Sequence, residues 1–298
     1  MKIAVMGAGA VGCYYGAVLA MAGHEVMLIG RPALVQAVQA NGLILEKSGQ
    51  RHVCRVAASD DPAAVAGAGM VLFCVKSGDT AAAAHQIAPH LSPGTLLMSF
   101  QNGVSNPETL AAVTGCPVIP TVVYVAAGMA GPGIVQHHGR GDLVIGGPNA
   151  DRAAEILIAA GVDTAVSDNV MGVLWGKLLV NCAFNALSAI SQLPYARLNA
   201  VEGIPALQDD LVAECLAVAQ AEGITPPPEI HDTIRAIPVT MAGQFSSTAQ
   251  DLQRGKPTEI DFLNGEIVRL AERHGIDVPI NRTLTLLVKL AEAARPSV

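Results

Sequence analysis

Residues 2–12 read Lys2-Ile3-Ala4-Val5-Met6-Gly7-Ala8-Gly9-Ala10-Val11-Gly12, and the ten that follow, Cys13 to Ala22, contain neither a charge nor a proline. A short apolar run, a Gly-x-Gly-x-x-Gly loop and a helix-compatible segment, in that order, form the strand, turn and helix that a dinucleotide pyrophosphate requires. Gly7 permits the tight turn, Gly9 lets the backbone approach the diphosphate, and Gly12 allows the helix to pack closely on the strand. The helix N-terminus then faces the negative charge. Gly7, Ala8, Gly9, Ala10, Val11 and Gly12 are therefore read together as a cofactor-binding loop, with strand over Ile3 to Met6 and helix over Val11 to Met21. Lys2 and the apolar stretch ending in Ala20-Met21-Ala22 also imitate a signal peptide. Glycines at 7, 9 and 12 would weaken a continuous apolar helix and argue against that reading.

Beyond this unit the same alternation continues. Glu25 to Ile29, Met70 to Val75, Thr95 to Ser99 and Pro117 to Val123 read as strands, and Ala33 to Gln39, Thr80 to Ile87 and Pro107 to Val113 as helices. This is the pattern of a parallel sheet covered by helices. Gly133 to His138 and Asp142 to Ile145 read as antiparallel additions at a sheet edge. From about Asp168 strand signals cease: Asn169 to Ser191, Leu207 to Ala221 and Glu259 to His274 read as helices, with Pro226-Pro227-Pro228 as a rigid break. The expected fold class is α/β, with a parallel-sheet domain over 1–167 and a second, all-helical domain over 168–298.

Composition narrows the function. Of 298 residues 51% are hydrophobic and 14% charged, so extensive apolar surface must be covered, some of it between subunits of a possible homodimer. A formal charge of −7 leaves no basic stripe for a nucleic acid. The longest uncharged runs, after Asp79 and after Lys177, are broken by Pro and Gly or carry Asn, Ser and Gln, and are not read as membrane spans. Six cysteines, scattered and never in a C-x-x-C pair, fit the reduced thiols of a cytoplasmic protein. His137-His138 lacks a third ligand at metal spacing, so no metal site is expected.

At the end of the second expected strand, where an NAD site usually places an acid for the ribose hydroxyls, stands Gly30-Arg31. The glycine removes the carboxylate that would repel a 2′-phosphate, and the arginine offers a planar cation for it, which favours NADP. Lys76 and Asn102 follow two further strands, and strand carboxyl ends line the ligand crevice of an open α/β sheet. A surface charge and an Asn-Gly turn are the alternatives. In the helix through Trp175, the polar residues Lys177, Asn181 and Asn185 recur every four positions and share one face. Two amides and one ammonium on so apolar a helix call for a polar partner. Reduction of a ketone leaves alkoxide character on oxygen, and Lys177 is a proton donor suited to it. Ser246, Ser247 and Glu259 read equally as helix-start residues or as site residues.

The chain resembles the ketopantoate reductase (2-dehydropantoate 2-reductase) family over essentially its whole length. The resemblance rests on Gly7 to Gly12, Arg31, Lys76, Gln101-Asn102-Gly103, Trp175-Gly176-Lys177-x-x-x-Asn181-x-x-x-Asn185, Ser246-Ser247-x-x-Gln250-Asp251 and Thr258-Glu259-Ile260-Asp261. It implies cytoplasmic, NADPH-dependent reduction of ketopantoate to pantoate for pantothenate synthesis, with this small 2-oxo acid held between a Rossmann-type domain and a helical one. It further implies Lys177 as catalytic acid, with Glu259 the acid near lysine and cofactor. Asn181, Asn185 and Ser247 become substrate ligands, and Asn102 serves cofactor and substrate. Gly7 to Gly12, Arg31, Lys76 and Ala127 become cofactor ligands. Two positions depart from the pattern: Gln244 stands where an asparagine is expected before the serine pair, and Tyr195 where some members carry another substrate asparagine. Reduction of a different 2-oxo acid, and a non-catalytic dinucleotide-sensing module, are the alternatives.

Overall fold

A computed structural model describes residues 1–294. The chain divides into two compact units, Met1–Val170 and Met171–Val298.

In the first unit, β1 (Lys2–Met6), α1 (Ala10–Met21), β2 (Glu25–Ile29) and α2 (Pro32–Asn41) lead into a hairpin of β3 (Leu43–Lys47) and β4 (Gln50–Cys54). Next come β5 (Ala57–Ser59), β6 (Met70–Phe73), α3 (Thr80–Ile87), β7 (Leu96–Ser99) and α4 (Asn106–Thr114). The unit ends with β8 (Val118–Gly131), β9 (Ile134–Ile145), α5 (Ala150–Ala159) and β10 (Thr164–Val166). The strands form one sheet in the order β4-β3-β9-β8-β7-β6-β1-β2-β5, with β10 paired to β9. From β5 to the start of β8 all pairings are parallel.

Strand alternation divides the core between the two faces. Ile3, Val5, Met70, Leu72, Leu96 and Met98 face α1, whereas Ala4, Met6, Val71, Phe73 and Leu97 pack with Ala83, Ala84 and Ile87 of α3 and Leu110 of α4. Because both faces are covered, these strands read as continuous apolar runs rather than alternating ones. α1 is apolar on every side because the sheet curls over it: it packs on β1 and β2 below and against β8, β9, β3 and β4 above.

The sheet corrects one expectation. Gly133 to His138 and Asp142 to Ile145 are not two short edge strands but a single strand, β9, lying inside the sheet between β8 and β3. Gly139, Arg140 and Gly141, all with positive φ, are absorbed in bulges rather than ending the strand. The edge is the β3–β4 hairpin, joined to β9 in parallel through Ile44↔Ile134.

The second unit is helical: α6 (Val170–Ser191), α7 (Tyr195–Asn199), α8 (Ile204–Ala221), α9 (Ile230–Thr240), α10 (Ser247–Gln253), α11 (Asn264–His274) and α12 (Pro279–Ala293). α6, whose first residue closes the first unit, is long and apolar enough to cross a membrane, but most of it is buried by the protein itself, as in a core helix. Pro227, in the triple-proline break, packs on Gly176 of α6, where a β-carbon would stand 3.0 Å from its Cδ. The helix expected from Glu259 to His274 is interrupted: Ile260–Phe262 form a 3-10 turn, and α11 begins only at Asn264. Gly265 lies against that turn, 3.1 Å from the Ile260 oxygen to an added β-carbon, so turn and helix fold onto one another.

Candidate active site

The glycine loop is built as its spacing implies. Gly7 has φ +99, and a β-carbon there would stand 2.6 Å from the Val75 nitrogen. The amides of Gly7 and Ala8 both donate to the Ile29 carbonyl at 3.0 Å, binding the loop to the end of β2. A β-carbon on Gly12 would meet the Gly7 oxygen at 2.5 Å and Val5 Cγ1 at 2.7 Å, so α1 sits directly on β1. At Gly9, the N-cap of α1, an added β-carbon would meet nothing within 4 Å. The space over the first-turn amides is open, and those N–H groups have no intrahelical acceptor. A pyrophosphate fits this cradle.

Strand order places the other first-unit candidates at the same end of the sheet. β1 lies between β2 and β6, the point at which the winding reverses, and ligands of such sheets bind outside the strand carboxyl ends there. Arg31 follows β2, Lys76 follows β6, Asn102 follows β7, and Ala127 lies on the long antiparallel extension of β8, opposite His137. Arg31 is exposed at the start of α2 and forms no ion pair among the described residues. Gly30 has a role that the strand-end argument missed: a β-carbon there would press to 2.9 Å on Ala8 Cβ, crowding the glycine loop.

Four buried polar residues that sequence reasoning did not assign hold the Lys76 and Asn102 loops together. The Ser77 hydroxyl donates to the Asn102 carbonyl at 3.0 Å, and Asn106 Nδ2 donates to the same oxygen at 2.6 Å. Gln101 Nε2 donates to the Val75 carbonyl at 3.1 Å and to the Thr80 hydroxyl at 2.7 Å. The Thr80 hydroxyl in turn lies 2.8 Å from Asn106 Oδ1. Ser77, Thr80, Gln101 and Asn106 are all buried, so the network fixes both loops relative to the strands. The only local signal was the run of polar residues directly after apolar strands.

His137 is used structurally, stacked on Tyr14 at 4.6 Å and bonded to the Arg140 carbonyl. Among the described residues no group of three His, Cys, Asp or Glu is placed to hold a metal ion. All six cysteines are free thiols, and burial pushes Cys13 up to about 12.

In the second unit, Lys177 and Asn181 are half-buried on α6 and Asn185, two turns on from Lys177, is buried. Asn185 Nδ2 donates to the Ser247 hydroxyl at 3.4 Å, which brings a residue 62 positions away onto the end of the stripe. The two serines separate in role. Ser246 is the N-cap of α10: its hydroxyl accepts from the Ala249 amide at 3.0 Å and lies 3.1 Å from the Asn185 carbonyl, whereas Ser247 is exposed. Glu259 is buried and precedes the 3-10 turn, so it is not an ordinary solvated first-turn acid. Next to it, the Thr258 amide donates to Glu292 Oε1 on α12 at 2.7 Å. The two departures from the family pattern are neighbours: the Tyr195 amide donates to the Gln244 carbonyl at 3.0 Å, and the buried Tyr195 ring meets Phe184 edge-on at 5.0 Å.

Comparison with known proteins covers nearly the whole chain. Residues 3–150 match the family model described as ketopantoate reductase PanE/ApbA, and residues 169–292 match its C-terminal counterpart. A 2-dehydropantoate 2-reductase of Halobacterium salinarum is 33% identical over 301 residues, covering 98% of this chain and 99% of that protein. The crystal structure of a PanE/ApbA family ketopantoate reductase from Ralstonia eutropha JMP134 is 55% identical, with TM-score 0.95, covering 98% of this chain and 99% of that one. A ternary structure of D-mandelate dehydrogenase with NADH and anilino(oxo)acetate is 26% identical, with TM-score 0.92 and 99% of each chain covered.

Proposed function

Since the chain belongs to the ketopantoate reductase family, dinucleotide-binding oxidoreductases that act on a CH–OH group and its keto counterpart, we propose that it reduces ketopantoate to pantoate with NADPH. The first unit supplies the dinucleotide site: the open cradle at Gly9 takes the pyrophosphate, Arg31 takes the 2′-phosphate, and Lys76, Asn102 and Ala127 line the rest. When bound, the reduced dinucleotide supplies a hydride.

The second unit supplies the substrate and proton chemistry. Asn181, Asn185 and Ser247 bind the polar groups of the 2-oxo acid. Lys177 donates a proton to the oxygen that gains alkoxide character, while the Glu259 carboxylate holds and orients its ammonium. The observation that carries this reading is the Asn185–Ser247 hydrogen bond, which extends the Lys177, Asn181, Asn185 face with a hydroxyl from another helix. An ordinary solvated stripe would carry several Glu, Lys and Arg and would need no such partner.

Six free cysteines support a reducing, cytoplasmic setting for pantothenate synthesis. Leu286, Leu287 and Leu290, exposed on one side of α12, support a homodimer, which light scattering would test.

The deciding experiment is a panel of 2-oxo acids assayed with NADPH and with NADH. Ketopantoate with NADPH is expected to be the best pair, and Lys177→Ala to lower kcat by about 10²- to 10⁴-fold while NADPH binding stays close to that of the unsubstituted protein. Unchanged turnover would remove Lys177 from its role. A second reading, reduction of a 2-oxo acid with an aromatic side chain, is favoured by the Phe184–Tyr195 ring pair beside Asn185 and by the likeness to D-mandelate dehydrogenase. In the same panel it predicts that phenylglyoxylate outruns ketopantoate.

A further inference from the structure

Three polar residues of the second unit that the proposed reaction does not use, the half-buried Glu214 and the buried Asn281 and Asn264, form a chain with one direction. The Glu214 carboxylate on α8 accepts from the amides of Ile280 at 2.9 Å and Asn281 at 3.0 Å, at the start of α12. It also accepts from Asn281 Nδ2 at 2.8 Å. With its nitrogen committed to Glu214, Asn281 presents Oδ1, which accepts from Asn264 Nδ2 at 3.0 Å. Asn264 Nδ2 lies as well 3.4 Å from the carbonyl oxygen of Cys182 on α6. Asn264 and Asn281 are both completely buried.

What surrounds Asn264 fixes its amide. Both groups beside the nitrogen are acceptors, so a flipped amide would set oxygen against two oxygens. The orientation present leaves Asn264 Oδ1 buried with no partner among the described residues. That cost has no counterpart in a leucine or alanine at the same place, which separates this residue from one that merely fills space. Its position adds a second observation. Asn264 opens α11 directly after the turn that Glu259 precedes, and Gly265 lies against the backbone of that turn.

We propose that Asn264 is a positioning residue of the reduction: anchored through Asn281 on Glu214, it ties the α6 backbone at Cys182, next to Asn181, to the turn that follows Glu259. The Lys177, Asn181 and Asn185 face and the Glu259 carboxylate thereby keep a fixed spacing within the second unit. The proposal rests on the roles given above to Lys177 and Glu259.

Asn264→Ala and Asn281→Ala test it in the full-length protein, with turnover counted per folded molecule. Expected is a fall in kcat of roughly ten- to a hundredfold with the dissociation constant for NADPH unchanged, since a displacement of about 1 Å suffices for such a loss. Hydrogen exchange should quicken together in peptides covering 178–186 and 258–264. A Tm that falls while kcat per folded molecule and its pH profile stay as in the unsubstituted protein would overturn the proposal. If Asn264→Ala does not fold, Asn281→Ala carries the same readouts, and Asn264→Gln asks whether a displaced amide restores part of the turnover. Should the unsubstituted protein reduce no 2-oxo acid, the reading of the site itself fails; exchange that stays slow in both peptides of the variants overturns the tether separately.

Discussion

Gly12 stands over the carbonyl of Gly7, so close that an added β-carbon would come within 2.5 Å of that oxygen. Gly12→Ala gains about 1 kcal/mol of helix propensity. Against this stands overlap with a backbone atom and with Val5, and overpacking of a tight core costs about 1–3 kcal/mol. The overlap wins because a main-chain carbonyl cannot swing aside. Lower stability is expected in denaturant unfolding; an unchanged midpoint would show that the loop can yield.

Gly9→Ala is expected to do the opposite. Its φ of −83 suits any residue and its surroundings are open, so stability should move by less than about 0.5 kcal/mol. The methyl group would instead occupy the approach of the pyrophosphate, weakening NADPH binding by about tenfold or more, the effect of some 1.4 kcal/mol. Denaturant unfolding and NADPH titration calorimetry on the two variants should show stability lost in one and affinity in the other.

Arg31→Ala should lower kcat/KM for NADPH by about ten- to a hundredfold, since a charge-assisted hydrogen bond contributes about 1.5–3 kcal/mol. NADH should be little affected. Stability should hold as well, because Arg31 is exposed and has no ion pair among the described residues. Equal losses with both dinucleotides would discard the 2′-phosphate role.

Ser246 and Ser247 are adjacent but should respond differently. Ser246→Ala removes the N-cap of α10 and is expected to cost about 1 kcal/mol of stability. Ser247→Ala leaves the cap intact and should raise KM for the keto acid with the unfolding midpoint unmoved. Steady-state kinetics beside thermal unfolding would distinguish them.

Glu222 gives the second unit an acid-side dependence. Burial raises its carboxyl, but hydrogen bonds and charge from His274 and Arg273 outweigh it and hold the group below the usual carboxylate value. A depressed folded value means stability that is present above about pH 4.5, the ordinary glutamate range, and lost as pH falls through the lower folded value. Glu222→Gln should flatten that part of the stability curve, and a slope identical to the parent's would deny Glu222 its part.

The glycine loop was legible because each of its glycines answers a local demand: a positive φ at 7, open space at 9, a close approach at 12. The polar stripe on α6 was legible because period four is visible within one helix. The β3–β4 hairpin passed unread although Ser48-Gly49, with φ of 52 and 75, is a two-residue turn of the kind that favours hairpins. α9 passed unread, and Pro238 lies inside it. The Ser77, Thr80, Gln101, Asn106 network and the Glu214–Asn281–Asn264 chain join residues far apart in sequence, so no window of sequence contains them. The same holds for Gly30, whose need for a bare α-carbon arises from Ala8, a neighbour only after β1 and β2 pair.

The enclosure of α1 sets an order of assembly. Its upper wall comes from β8 and β9, and β3 reaches its place beside them only when Ile44 finds Ile134. A growing chain therefore makes its nucleotide loop at the outset yet cannot finish housing it until Ile145 has emerged, and nascent chains stopped short of that point should leave Tyr14, Tyr15 and Leu19 open to chaperones.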